Sequence, residues 1–166
     1  MLKANFITAQ EAAEKIQDGS TLCTIGMTLV SASESILKAI EKRFETVGHP
    51  ADITLVHSCG QSDRKDGIQH LAHEGLVKRI VGSHWGLQPR WMEMIANSQV
   101  EAYCLPQGQI AQLYRSMACG LPGKMSKVGL GTFIDPRVEG GKMNDRTKPL
   151  PDLVDILEYG GEEYMF

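Results

Sequence analysis

The sequence predicts an α/β domain built around a mainly parallel β-sheet. Short apolar runs rich in β-branched residues alternate with amphipathic segments, which is the pattern of strands joined by helical crossovers. The chain has 166 residues, of which 42% are hydrophobic and 22% charged, and this is ordinary for one globular domain.

Helix-start signals define the first elements. Thr8 and Glu11 form a capping box, in which the hydroxyl and the carboxylate each satisfy an otherwise unpaired backbone N–H, and predict the first helix. Residues 21–25 follow as a strand. A second capping box, Ser31 with Glu34, predicts a second helix. Its apolar face carries Ile36, Leu37, Ile40 and Phe44.

Shorter elements follow in the same alternation. They are a strand at 53–57, a helix at 68–78, a brief strand near 80–81, a helix at 89–96 that begins with a proline, and a strand at 100–105. A further helix is predicted by the apolar stripe of Ile110, Leu113, Tyr114 and Met117.

The last part of the chain is less regular. Residues 128–151 are rich in glycine and proline and are predicted to be a long functional loop, and residues 153–159 a final strand. Tyr164, Met165 and Phe166 begin an apolar run that goes no further, so we expect a domain truncated at its C-terminal end.

Composition excludes several classes of protein. The net charge of −3 and the dispersed basic residues argue against nucleic-acid binding. No apolar run approaches the roughly 18 residues of a membrane span, and no secretory signal is present, so a cytoplasmic location without membrane contact is expected. The four cysteines have neither metal-site nor disulfide spacing, and Cys23 and Cys104 are predicted to be buried.

Three junctions carry the candidate site, because ligands of α/β sheets bind at the carboxyl ends of strands. They are IGMTLVSASE, HSCGQSDRKDG and LPQGQIAQL, and they should converge on one edge of the sheet. Gly26 and Met27 either let a ligand approach the backbone or form an ordinary turn. The amide of Gln107 either binds a ligand or lies in a surface turn fixed by Pro106.

Other motifs indicate structure rather than chemistry. His70 and His73, with Glu74 beside them, share a helical spacing, but no further metal ligand is evident, so no metal is expected. His84 is interpreted as a packed, hydrogen-bonded residue. Dinucleotide, P-loop and serine-hydrolase motifs are absent. Four apolar side chains at helical spacing are predicted to be core: Met92, Met94, Tyr114 and Met117.

Five segments, taken in order, carry a resemblance that covers nearly the whole chain. They are TAQEAAEKIQDGSTL, SESILKAIEKRF, DITLVHSCGQSDRKDGIQHLAHEGLVKRIVGSHWG, YCLPQGQIAQLYRSMACGLPG and VGLGTFIDPRVEGGKMND. They resemble the family I CoA-transferases, and most of all the single-chain acetate or propionate branch. The resemblance implies a three-layer domain of the NagB/RpiA/CoA-transferase type, with residues 1–166 as the N-terminal, alpha-type domain.

The resemblance also implies a ping-pong reaction between acyl-CoA and a short-chain carboxylate through a glutamyl-CoA intermediate. The family's nucleophilic glutamate lies in E-x-G-x-x-G in its C-terminal half. Here Glu158 begins EYGGEE, with Glu163 in place of the last glycine, so no catalytic residue is expected in this chain. No cofactor is implied beyond the coenzyme A thioester that serves as substrate. The implied partners are a C-terminal half and further copies of the full-length enzyme.

The family's binding residues transfer only to matching positions. Gln107 and Gly108 match LPQG, whose glutamine lies near the catalytic carboxylate in the family. Gly26 and Met27 stand where many relatives have GGF. Three consecutive residues, Ser58, Cys59 and Gly60, stand where two-subunit relatives have Asn-Asn-Ala-Gly.

Two other functions are compatible with these residues. An acyl-CoA hydrolase on the same scaffold would use water as the acceptor. A non-catalytic domain would bind a small carboxylate or a sugar phosphate.

Overall fold

The computed structural model describes residues 4–166 and contains the predicted alternation of strands and helices. The elements are α1 Ala9–Glu14, β1 Thr21–Thr24, α2 Glu34–Val47, β2 Ile53–His57, a 3₁₀ helix Gly67–Leu71, β3 Val77–Gly82, α3 Pro89–Ala96, β4 Glu101–Cys104, α4 Gln107–Ala118, β5 Ile156–Tyr159 and β6 Glu162–Met165. No helix within the described range is long and apolar enough to cross a membrane.

The central sheet has four parallel strands in the order β1-β2-β3-β4. Right-handed crossovers that always step in the same direction bring their connecting segments to one face of a sheet. Accordingly, residues of α1, α2, α3 and the 3₁₀ helix form one apolar core with the inward-facing residues of the strands. The predicted mainly parallel α/β sheet is therefore confirmed.

The opposite face is covered less completely. The Tyr114 hydroxyl of α4 donates to the backbone carbonyls of Thr24 and Val56, both at 3.3 Å. The Tyr103 hydroxyl of β4 donates to the carbonyl of Pro151, in the irregular segment 128–151. This segment also pairs with the outer edge of β4, whereas β1 has β2 as its one neighbouring strand among residues 4–166.

The first capping box is confirmed and the second is wrong. Thr8 accepts from the backbone N–H of Glu11, whose carboxylate accepts from that of Thr8. Helix α2 instead begins after Ser33, which makes no side-chain cap, while Ser31 has a φ of 62° in the loop before it. The Glu34 carboxylate accepts from the backbone N–H of Gly67 at 2.9 Å and therefore does not form a capping box with Ser31.

The helix predicted at 68–78 is also wrong. The 3₁₀ helix ends at Leu71, and Gly75 takes a φ of 87° that no right-handed helix contains. Asp52 then donates its backbone N–H to the Gly75 carbonyl, which leads the chain into β3. The strand predicted near 80–81 is correspondingly longer.

Several predicted core positions are on the surface. Cys23 is exposed because the face of the edge strand β1 that points away from the core is open, and Cys104 is half-buried. Met94 is buried as predicted, whereas Met92 and Met117 are about half exposed because they lie on the outer sides of α3 and α4. Of the stripe predicted on α4, only Ile110 is fully buried.

The end of the chain forms a hairpin rather than a free apolar run. Strands β5 and β6 pair antiparallel around Gly160 and Gly161, which both have positive φ. Met165 is buried and pairs with Ser126 across the irregular segment. Glu158 and Glu163 lie opposite each other in this hairpin, so EYGGEE is accounted for by a turn.

Candidate functional site

The three predicted junctions leave the carboxyl ends of β1, β2 and β4, and therefore lie along one edge of the sheet. The first two are in direct contact, since the backbone N–H of Thr28 donates to the carbonyl of Gly60 at 2.8 Å. The third is separated from them by β3. Ser83, which follows β3, connects them: its hydroxyl donates to the Ser58 carbonyl at 2.8 Å, and its own carbonyl accepts from Cys104.

The loop after β1 is tightly folded. Its backbone closes on itself through reciprocal hydrogen bonds between Met27 and Val30. Gly26 has a φ of 141°, and a Cβ atom there would lie 2.9 Å from the Val30 carbonyl oxygen. Thr28 and Ser31 also have positive φ, which is costly for residues with a side chain. Gly26 is thus required by the loop itself, while Met27 is exposed on its surface.

The loop after β2 is fixed at successive carbonyl groups. The Ser58 and Gly60 carbonyls accept from Ser83 and Thr28, and the Cys59 carbonyl accepts from Nδ1 of His57 at 2.8 Å. Cys59 itself is buried. This junction is a rigid turn whose shape depends on its neighbours.

The hydrogen bond to the Cys59 carbonyl determines the tautomer of His57. Because a carbonyl only accepts, Nδ1 of His57 carries the proton. Burial lowers the pKa of His57 to about 4; the hydrogen bond that His57 donates to the Cys59 carbonyl raises this pKa, and His84 lowers it by a smaller amount. His57 is therefore neutral near pH 7 and acts as a support beneath the turn.

His84 is hydrogen-bonded, as predicted, but it is not enclosed. Its Nε2 accepts from the backbone N–H of Gly60 at 3.3 Å, while the residue is exposed. Sequence reasoning missed Ser83 and His57 as supports of the turn, because both act through backbone carbonyls that a motif does not display.

Gln107 is the first residue of α4 and is exposed, with Pro106 as an N-cap that provides no side-chain bond. The Pro106 carbonyl accepts from Gln109 and Ile110, so the N–H groups of Gln107 and Gly108 precede the first helical hydrogen bonds. A Cβ atom at Gly108 would meet no atom within 4 Å. This helix start therefore presents amide donors and open space to an anionic group.

Tyr114 holds α4 in this position. Its hydroxyl contacts the ends of β1 and β2, which carry the other two junctions. Burial raises the pKa of Tyr114 to about 12, so the hydroxyl keeps its proton. Although it was predicted as core, Tyr114 is half-buried and connects the three parts of the site.

The two histidines that were considered as metal ligands contact carboxylates of α2. His70 contacts Glu34 through Nε2 and Glu41 through Nδ1, and His73 contacts Glu41. Lys38 bridges Glu34 and Asp66 and so provides a cation within the cluster. Glu74, the third residue of the predicted set, points elsewhere and accepts from Gln99.

Comparison with known proteins supports the resemblance. The profile of the family described as Coenzyme A transferase matches residues 6–166. The chain is 43% identical over 164 residues to a caffeate CoA-transferase of Acetobacterium woodii, covering 98% of this chain and 31% of that one. It is 37% identical over 162 residues to the acetate CoA-transferase YdiF of Escherichia coli K12, covering 96% and 30%.

Solved structures agree. The apoenzyme of the acyl-CoA transferase YdiF from E. coli O157:H7 superposes with a TM-score of 0.88 at 36% identity, over 96% of this chain and 31% of that one. A glutaconate coenzyme A-transferase from Acidaminococcus fermentans shares the fold, with a TM-score of 0.69 at 17% identity. The chain spans about a third of the length of these caffeate and acetate CoA-transferase relatives. The family match, these sequence identities and the shared fold together show that the chain belongs to the coenzyme A transferases, and among them to family I.

Proposed function

We propose that this chain is the N-terminal part of an acyl-CoA:carboxylate CoA-transferase and forms one wall of its active site. The observation that carries the proposal is the open start of α4, where the exposed Gln107 and the first amides of the helix lie at the same sheet edge as the junctions after β1 and β2. Its substrates would be a short-chain acyl-CoA and a carboxylate such as acetate or propionate.

The chemistry requires groups that stabilise negative oxygen atoms. Transfer through a glutamyl-CoA intermediate passes through tetrahedral oxyanions, and preorganised N–H donors lower the energy of such states. The amide of Gln107 and the free N–H groups at the start of α4 are donors of this kind. Coenzyme A enters as a substrate, and no other cofactor has a role in this reaction.

The nucleophile is proposed to lie outside this chain, in the C-terminal part of the family's polypeptide. Within residues 4–166, the one near match to its motif forms the turn of the β5–β6 hairpin. The rigid turn at 58–60 would contact the acceptor carboxylate, and the backbone of the loop at Gly26 and Met27 would contact the acyl-CoA. The full-length enzyme is proposed to be a cytoplasmic homo-oligomer.

A chimera provides the test. The matched N-terminal part of E. coli YdiF is replaced by this chain, since the two superpose with a TM-score of 0.88. We expect the chimera to exchange coenzyme A between acetyl-CoA and propionate, and the 166-residue chain alone to show no exchange. Caffeate is included as a second acceptor because of the relative from A. woodii.

Two outcomes would contradict the proposal. One is exchange by the purified chain alone. The other is a chimera with native-like circular dichroism that hydrolyses acetyl-CoA at the same rate with and without an added acceptor, which would favour the hydrolase.

A further inference from the structure

A run of apolar side chains lies exposed immediately after β1. Ile25, Met27, Leu29 and Val30 are 63%, 60%, 38% and 68% exposed, and we call these four residues the apolar ridge. The stretch from Ile25 to Ser33 contains no ionisable side chain. Single exposed apolar residues are ordinary, but a contiguous uncharged group of this kind marks an interaction surface.

The ridge is held in this exposed arrangement by the backbone. Reciprocal bonds between Met27 and Val30 close the loop, and the Thr28 N–H anchors it to Gly60. The hydroxyl of Thr28 also donates to the Met27 carbonyl at 2.6 Å, in a backbone with a φ of 53°. Because these bonds fix the backbone, the loop does not collapse inward to bury its side chains, and the fold keeps them exposed.

The strand that leads into the ridge indicates what kind of molecule covers it. Strand β1 has no neighbour on its outer edge within the described range, and its outward-facing Cys23 is exposed. An open strand edge next to an uncharged apolar surface suits a polypeptide, which can supply both backbone partners and apolar side chains. A small, highly charged ligand such as a nucleotide would gain little from either.

The length of the relatives identifies that polypeptide. More than two-thirds of YdiF lies outside the part that this chain matches. We propose that the apolar ridge is the docking surface for the remaining part of the CoA-transferase polypeptide, which meets it with an uncharged apolar surface beside the active site. This inference rests on the proposed function and specifies where the two parts of the enzyme make contact.

Oxidation of methionine provides a direct readout without any substitution. Met27, Met92 and Met117 are 60%, 51% and 48% exposed, so in the chain alone they should be oxidised by hydroxyl radicals at similar rates. In the YdiF chimera, we expect Met27 to be oxidised about tenfold more slowly while Met92 keeps its rate, since oxidation follows exposure. Peptide mass spectrometry measures the three residues in one sample.

A matched pair of variants gives the second measurement. Val30 and Val47 are 68% and 59% exposed, and Val47 ends α2 at the opposite end of the sheet. Val30→Ser should lower the thermal midpoint of the chimera, and Val47→Ser should not. In the 166-residue chain alone, both changes should leave the midpoint unchanged because neither side chain is buried there.

The outcomes separate this inference from the proposed function. Equal oxidation of Met27 and Met92 in an active chimera would overturn the docking surface and leave the transferase assignment intact. Protection of Met27 in a folded but inactive chimera would support docking without the transferase. Protection that appears only with added acyl-CoA, or in the chain alone together with a dimeric mass, would assign the ridge to the substrate or to a second copy and overturn the inference.

Discussion

The ring of His57 occupies the space in which a Cβ atom at position 82 would lie, so Gly82 is required by its neighbour on the adjacent strand. Gly82→Ala must displace the ring that supports the turn at Cys59. We expect the free energy of unfolding to fall by about 1–3 kcal/mol, as for other overpacked interiors. Urea unfolding measures this change in the free energy of unfolding.

Gly86→Ala is the matched control, because a Cβ atom there meets nothing within 4 Å. Equal stability of the two variants would show that position 82 has room for a side chain.

His57 makes the fold sensitive to acid. Its pKa of about 4, caused first by burial, lies below the ordinary value of 6.5, so the unfolded chain binds a proton before the folded chain does. Stability is therefore complete above pH 6.5 and is lost as the pH falls towards 4, by about 3 kcal/mol if this group acts alone. Urea unfolding at pH 7, 5.5 and 4.5 should show this slope. His57→Gln should flatten it, and an unchanged slope would exclude His57 as its origin.

The contribution of His70 to stability changes with pH in the opposite direction. Burial alone lowers its pKa, but the bonds from Glu41 and Glu34 outweigh burial and raise the pKa above 6.5. Stability from this contact is complete below pH 6.5 and is lost as the pH rises through the higher pKa of the folded chain.

The predicted pH dependence of the His70 contact also involves the other charged groups around α2. The charged groups that face His70 and its partners are Glu34, Lys38, Glu41, Asp66, His73 and Arg90. Between pH 6 and 9, Glu34, Glu41 and Lys38 keep their charge, and the variant His70→Gln isolates the contribution of His70. His70→Gln should cost about 1 kcal/mol at pH 6 and less at pH 9. A cost that does not vary between these pH values would contradict the assignment.

Gln107 is predicted to support the transfer reaction without supporting the fold. In the YdiF chimera, Gln107→Ala should lower kcat for acetyl-CoA:propionate exchange by about 100-fold, the size found when one oxyanion donor is lost. The thermal midpoint should not change, because the side chain is exposed. Gln112→Ala, on an exposed position of the same helix, is the control and should retain full activity. Equal kcat in the two variants would remove Gln107 from the site.

The alternation of strands and helices, the first helix cap and the buried face of α2 could be predicted because each is encoded within a few neighbouring residues. Thr8 with Glu11 is a local signal, and the spacing of Leu37 and Ile40 is another. Ser31 with Glu34 failed because a distant group, the N–H of Gly67, competes for the carboxylate. A capping motif cannot show such a competitor.

The candidate site was predictable as three junctions but not as a connected structure. The motif around Gln107 is visible in the sequence, whereas the carbonyl contacts of Ser83 and His57 depend on how parallel strands are placed side by side. The final strand predicted at 153–159 contains β5, but its pairing with β6 was not predicted although Gly160-Gly161 is a recognised turn signal, because β6 has only four residues.

The sequential order of the sheet bears on how the protein is made. Each of β2, β3 and β4 pairs with the strand that precedes it in the chain, so each of these strands has a partner that is synthesised before it. A nascent chain can add one strand and one crossover at a time to an existing edge, without waiting for a distant segment. All three junctions of the candidate site have therefore been synthesised once translation reaches the start of α4.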